Sequence, residues 1–223
     1  MSRPRAGVNG RRIVLACMTP TPDTDDLGEL SLPSYGIRRI LAAVVADPAL
    51  AGATVGLVDF GCADVDRYVD AILQADPDLL GLSVYVWSLP CMVEVARRVK
   101  RLRPQCVIVF GGPSARPAMF DLAPYAPAHL YADAVVTTEG EAVFRAIAAL
   151  PLLTRTALRG VPGLQLPVGG VWMSTGQRAS AEDLDSVASP FQLELMPAGS
   201  VAYLETYRGC PLSCRYMRAA RPG

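Results

Sequence analysis

Five short apolar runs, each followed by a segment with helical spacing or a helix start, occupy residues 12 to 150. They are Arg12 to Cys17, Ala53 to Phe60, Leu79 to Val86, Cys106 to Phe110 and Ala134 to Thr137. Val, Ile and Leu dominate them, with little alternation of apolar and polar residues. Strands of that kind are covered on both faces, the condition of a parallel sheet between two layers of helices. The intervening segments agree. After Pro33-Ser34 the residues Ile37, Ile40, Leu41, Val44 and Val45 share one helical face. A second helix is expected from about Asp64 to Gln74, stopped by Asp76-Pro77, and a third from Pro90 to Leu102, ahead of Arg103-Pro104. A helical or irregular stretch crosses Ala118 to Tyr131, and a last helix follows Glu139-Gly140-Glu141 as far as Leu150. The expected fold class is α/β: a doubly wound, Rossmann-like, parallel five-stranded sheet with helices on both faces.

Beyond residue 150 the pattern changes. Val161 to Leu166 and Val171 to Met173, separated by Gly169-Gly170, predict a hairpin, and Asp183 to Pro190 an extended connector. Val201 to Thr206 reads as a new strand leading into Gly209-Cys210-Pro211-Leu212-Ser213-Cys214-Arg215-Tyr216-Met217. The expected division is a Rossmann-like domain over 1-150, a hairpin and interdomain linker over 151-200, and the truncated start of a second domain over 201-223. A strand at 201 to 206 without neighbours predicts poor order beyond about residue 195, or an exposed, aggregation-prone edge.

Composition removes several classes of function. With 21 basic and 21 acidic side chains there is no electrostatic case for binding nucleic acid or an anionic membrane. No apolar run reaches the roughly 18 residues of a membrane span. Residues 1 to 12 are basic but lack the apolar stretch of a secretory signal, so the expected location is cytoplasmic. The six cysteines are scattered, as buried thiols or metal ligands are, and Cys17, Cys62, Cys91 and Cys106 are expected in or near the core. The single histidine, His129, is expected to be a surface or satisfied polar residue. Ser34, Ser83 and Ser114 lack the context of a nucleophile elbow, which argues against a Ser-His-Asp hydrolase.

In an open α/β sheet, ligands bind beyond the carboxyl ends of the strands. The loops there are Ser83, Tyr85, Val86, Trp87 and Ser88 after the third strand; Gly111, Gly112, Pro113 and Ser114 after the fourth; Thr137, Thr138, Glu139, Gly140 and Glu141 after the fifth; and Thr19 to Gly36 after the first. Each has a plainer reading. Gly-Gly serves turns, Trp87 serves packing, and Glu139 and Glu141 suit a helix N-terminus. Their convergence on one edge favours a binding site. Neither a G-x-G-x-x-G after the first strand nor a phosphate-binding P-loop occurs, so dinucleotide and P-loop readings have little support. Cys210 and Cys214, spaced C-x3-C after a strand, outline an iron–sulfur ligand loop.

These segments, in this order, resemble the cobalamin-dependent radical S-adenosylmethionine enzymes. The resemblance rests on Gly81 to Ser88, Phe110 to Ser114, Thr138 to Glu141, Tyr203 to Tyr216 and the connector Asp183 to Phe191, and it spans nearly the whole chain. It implies a Rossmann-like cobalamin-binding domain ahead of a partial α/β barrel. Cobalamin would lie across the strand ends against Ser83, Tyr85, Val86, Trp87, Gly111, Gly112, Pro113, Ser114, Thr138, Glu139 and Gly140. No D-x-H-x-x-G motif supplies a cobalt-ligating histidine, in agreement with base-off binding in the radical branch. Cys210 and Cys214 match the first two ligands of the family's four-iron, four-sulfur cluster. Met217 stands at the third, and a neutral thioether is a weak ligand for iron. S-adenosylmethionine belongs to the intact family and is not expected to bind here. The resemblance thus implies the cobalamin-binding portion of a methyltransferase-like protein, not catalytic alone. Two alternatives remain: a stand-alone cobalamin carrier partnered by a separate radical S-adenosylmethionine barrel chain, and a Rossmann-like domain binding a nucleotide or flavin.

Overall fold

The computed structural model describes residues 7–19, 33–177, 183–206 and 208. Its elements run β1 (Arg12–Met18), α1 (Tyr35–Val45), β2 (Thr54–Phe60), α2 (Val65–Ala75), β3 (Leu79–Ser83), α3 (Leu89–Leu102), β4 (Val107–Gly111), α4 (Pro117–Phe120), β5 (Ala134–Val136), α5 (Gly140–Ala148), α6 (Arg155–Leu158), β6 (Leu164–Val168) and β7 (Val171–Ser174). Local chemistry sets several of these bounds. Asp64 caps α2 by accepting from the Arg67 N–H, and Asp76 ends it in the left-handed conformation ahead of Pro77. Pro90 lies in the first turn of α3, where its missing N–H breaks no helical bond.

The strands form one sheet in the order β2-β1-β3-β4-β5-β6-β7. The first five are parallel, with Leu15 opposite both Leu57 and Gly81, and Leu82 opposite Phe110. From β1 the chain first adds a neighbour on one side and then on the other, which makes the boundary between β1 and β3 the topological switch point. Alternate strand residues serve opposite faces. Val14, Ala16, Leu80, Leu82, Ile108 and Phe110 pack with Tyr68 and Ile72 of α2 and Met92, Val95 and Val99 of α3. Ile13, Leu15, Leu79, Val107 and Val109 pack with Ile37 and Leu41 of α1 and Val143, Phe144 and Ile147 of α5. The doubly wound α/β expectation therefore holds.

The sheet has seven strands rather than five. The expected hairpin is not separate but adds to β5, antiparallel, through Val135 opposite Gln165 and Val136 opposite Leu164. The reason is burial: β5 is three residues long and fully buried, and Leu164 and Leu166 complete the core beside it. Positive φ at Gly169 and Gly170 makes the tight connection. Val201 to Thr206 is not a strand, because no neighbouring strand among the described residues offers it a ladder. β3 stops at Ser83 instead of Val86, for a reason given below.

Cys17, Cys91 and Cys106 are buried, and burial pushes the Cys106 thiol up to about 12. Cys62 is exposed, contrary to expectation, because it lies past the end of β2 in the loop to α2. At the amino end of the strands, Asp133 is 5 % exposed and accepts from the Ile108 N–H at 2.8 Å, Lys100 Nζ at 2.5 Å and Arg155 Nε at 2.7 Å. No described helix is long and apolar enough to cross a membrane.

Candidate functional site

The carboxyl ends of β1 and β3 meet at the switch point, and Trp87 spans them. Its indole N–H donates to the Met18 carbonyl at 3.3 Å, and its ring stacks on Tyr85 with centroids 4.8 Å apart and planes 9° from parallel. Trp87 remains 50 % exposed and Val86 74 % exposed, so the edge carries an apolar shelf open to a ligand. Burial raises the Tyr85 hydroxyl's pKa, so it stays protonated and able to donate.

Ser88 causes the early end of β3. Its hydroxyl accepts from the Tyr85 N–H at 2.9 Å, and the Ser88 and Leu89 N–H groups both donate to the Tyr85 carbonyl, at 3.0 and 2.9 Å. The backbone thus turns at Tyr85, and the Ser88 hydroxyl faces its own turn and not the ligand edge.

The loop after β4 crosses that turn closely. Gly112 has φ +96°, and a Cβ on it would lie 2.7 Å from the Val84 carbonyl oxygen and 3.2 Å from Ser83 Oγ. Only glycine allows this approach. The Val84 N–H donates to Gly111 O at 2.8 Å and the Ser114 N–H to Val84 O at 3.1 Å, fastening the two loops together. Ser83, Gly112, Pro113 and Ser114 therefore sit beside the aromatic shelf. Gly111 has open space, with Val136 Cβ the nearest atom at 3.9 Å.

The third loop has packing and ionic partners of its own. Gly140 is where α5 meets α1: a Cβ there would lie 2.7 Å from Ile40 Cδ1, so the end of the Ile40 side chain would have to shift to admit one. Thr138 is exposed at the edge. Glu139 pairs with Arg208 at 3.0 Å, and Glu141 with Arg39 at 3.5 Å. On the other side, Thr19 is anchored rather than free: its hydroxyl donates to Asp59 at 2.9 Å, and Arg38 lies 3.8 Å from the same carboxylate. Tyr68, fully buried, donates to Cys17 O at 2.7 Å and accepts from the Phe60 N–H at 3.0 Å, locking the ends of β1 and β2.

Asp59, Arg38, Arg39, Tyr203 and Arg208 are edge residues not anticipated from the sequence. One signal was available. Arg38-Arg39 stand side by side in an otherwise apolar helix, and cations so placed call for carboxylate partners. Hydrogen bonds from Arg208, then the charges of Arg208 and Arg39, hold the Glu205 carboxyl below the ordinary glutamate value, against its own burial and the repulsion of Glu139. A carboxyl with a depressed folded pKa contributes stability present above its unfolded pKa and lost as pH falls through the folded one. The docking of residues 201–206 is therefore expected to loosen as pH drops below 4.5, read as faster amide exchange there than in β1.

His129 sits at the other end of the molecule, ahead of β5, where its carbonyl accepts from Arg155 at 2.9 Å. Cys210 and Cys214 lie outside the described residues. Among the described residues, no group of three or more His, Cys, Asp or Glu is placed to hold a metal ion.

Comparison with known proteins agrees with this fold. A family model described as the B12 binding domain matches residues 29–148, more than half of the chain. The cobalamin-dependent radical SAM methyltransferase TokK of Streptomyces tokunonensis is 32 % identical over 170 residues, covering 70 % of this chain and 24 % of its own. The 2-(S-pantetheinyl)-carbapenam-3-carboxylate methyltransferase of Streptantibioticus cattleyicolor is 33 % identical over 154 residues, covering 63 % and 22 %. The chain thus spans about a quarter of the length of these relatives. The structure of the cobalamin-dependent S-adenosylmethionine radical enzyme OxsB, with aqua-cobalamin and S-adenosylmethionine bound, matches with a TM-score of 0.53 at 16 % identity, covering 76 % of this chain and 23 % of that one. At that identity the match bears on the fold alone. The chain belongs to the B12-binding domain family and is related to the cobalamin-dependent radical S-adenosylmethionine methyltransferases.

Proposed function

We propose that this chain binds cobalamin across the carboxyl edge of its sheet, as the cobalamin-binding part of a methyltransferase-like protein. The observation that carries the reading is the switch-point edge, where the exposed Trp87 and Val86 adjoin a loop whose Gly112 admits no side chain. A large, mostly apolar macrocycle needs that combination of a broad apolar wall and a few placed polar groups. Trp87 and Val86 would form the wall. Ser83, Ser114 and the Tyr85 hydroxyl would supply hydrogen bonds to the polar rim, and Gly112 would keep the loops after β3 and β4 crossed beside the ligand. Gly111, Pro113 and Thr138 would border it, while Glu139 and Gly140 serve the edge indirectly, through Arg208 and through packing of α1 on α5.

Cobalamin, when bound, supplies a site for carrying a methyl group. The chain's residues position it and shield one face. The only histidine lies at the opposite edge of the sheet, so binding without a histidine ligand to cobalt is expected. The binding unit in this reading extends to Ser174, because β6 and β7 complete the sheet.

Radical chemistry is not proposed for residues 1–223 taken alone. Met217 stands where a third thiolate would complete the ligand set begun by Cys210 and Cys214, and a thioether is a poor replacement. A barrel holding the cluster and S-adenosylmethionine, in the same polypeptide or in a separate chain, would supply that step.

The test is to mix the purified chain with hydroxocobalamin, remove free ligand by gel filtration and record the visible spectrum. Retained cobalamin with base-off features is expected. A folded chain that retains none overturns the reading and moves the weight to a nucleotide or flavin ligand.

A further inference from the structure

Residues 201–206 join no strand ladder, yet this stretch and Arg208 are tied to the ligand edge at two places. The first is ionic. Arg208 donates through Nε to Glu205 at 2.7 Å, through Nη1 to Glu139 at 3.0 Å and through Nη2 to Glu141. Arg39 of α1 approaches Glu205 at 3.2 Å and Glu141 at 3.5 Å. Two guanidiniums thus hold three carboxylates drawn from the β5–α5 loop, from α5 and from the C-terminal segment. The second is aromatic. Tyr203 stacks on Tyr35 with centroids 5.3 Å apart and planes 17° from parallel, and Phe191 packs at 6.1 Å on the same ring. Arg38 adds a bond to Leu195 O at 2.9 Å.

The ionic groups are shielded. Their side-chain exposures run from 9 % for Arg39 to 25 % for Glu139 and Glu205. Solvent and salt screen such pairs less than they screen surface pairs, and removing one member leaves the others uncompensated. Without Arg208, Glu141 and Glu205 would share Arg39. The aromatic contact reaches the shelf itself. Tyr35 adjoins Gly36, whose Cβ position lies 3.3 Å from the Tyr85 hydroxyl, and Tyr85 stacks on Trp87. Beside Tyr203, Leu204 is 90 % exposed, an apolar side chain facing open space on the segment that borders the site.

Building on the cobalamin reading, we infer that Arg39 and Arg208, with Glu139, Glu141 and Glu205, form a joint that holds residues 195–206 as one wall of the cobalamin edge. Ligand binding and segment docking then stabilise each other. Arg208 is a positioning residue: it acts through the β5–α5 loop and the Tyr203 side of the shelf.

The experiment compares the full-length wild-type chain with Arg208→Ala and Tyr203→Ala, measuring hydroxocobalamin affinity and amide hydrogen exchange with and without the ligand. In the wild type, hydroxocobalamin should slow exchange over 201–206. Arg208→Ala should bind about tenfold more weakly, and exchange at 201–206 should no longer respond to ligand, with β1, β3 and β4 protected as before. Wild-type affinity in Arg208→Ala overturns the inference and leaves a surface ion cluster. If Arg208→Ala loses strand protection and so fails to fold, Tyr203→Ala decides by the same two readouts, since it removes a partly exposed ring and no charge. A wild-type chain that retains no hydroxocobalamin overturns the cobalamin reading itself, an outcome distinct from a wild type that binds and a variant that binds equally well.

Discussion

Replacing Gly112 by alanine is expected to abolish hydroxocobalamin retention and to lower stability measurably. Two costs add. The backbone at φ +96° is strained for any residue with a Cβ, by about 1–3 kcal/mol. The new methyl would also sit 2.7 Å from Val84 O and 3.0 Å from Val84 N, both backbone atoms that cannot rotate away. Relief requires the loops after β3 and β4 to part, which breaks the Val84-to-Gly111 and Ser114-to-Val84 hydrogen bonds and displaces Ser83 and the Tyr85–Trp87 shelf. Gly111→Ala is the control. Its nearest neighbour is 3.9 Å away, so its unfolding midpoint should stay close to wild type. The two midpoints in urea, with the visible spectrum of each variant after gel filtration, decide the matter. A Gly112→Ala chain with wild-type stability and retained cobalamin would show that the loops do not cross as described.

Asp133→Ala should cost more stability and leave binding alone. The carboxylate neutralises Lys100, whose side chain is only 12 % exposed, and is the acceptor for the buried Ile108 N–H. Breaking a buried pair on one side costs about 3–5 kcal/mol, because the surviving charge stays buried. The lower end, about 3 kcal/mol, is expected. Lys100 keeps the Cys106 carbonyl at 2.6 Å, and Arg155, 53 % exposed, can turn to solvent. The midpoint should fall without a change in the slope against urea. Hydroxocobalamin retention at low temperature should persist, since Asp133 lies at the amino end of the strands and the binding edge at the carboxyl end. A loss of retention by the folded variant would contradict that separation.

The two variants mark what was legible from residues alone. The strands announced themselves because a segment buried on both faces must be apolar throughout, and the helices because a one-sided helix must repeat its apolar residues every three to four positions. Asp64, Asp76-Pro77 and Pro90 added stops and starts that depend only on neighbouring residues. Gly112 could be suspected for the same reason, since glycines after a strand favour close backbone approach. Ser88 misled: its hydroxyl looked like a ligand donor, but the turn it caps is closer than any ligand. The contact of Gly140 with the Ile40 methyl was not legible, because Ile40 lies far away along the chain.

The cysteine pattern at 210 to 217 is a matter of sequence only, and so is Met217 at the third position, because thioether and thiolate differ as ligands wherever they stand. The sequence by itself determined the α/β class, the strand-end loops as the place to look, and the family resemblance, because each depends on local periodicity or on short contiguous motifs. Tertiary structure alone decided the β1/β3 switch point, the attachment of the hairpin to β5 and the Arg39–Arg208 joint. Each of these arises from pairing between residues far apart in the chain, and many pairings satisfy the same local pattern. Only packing the two apolar faces at once selects the one that buries Leu164 and Leu166 beside β5 and leaves Trp87 and Val86 exposed at the edge.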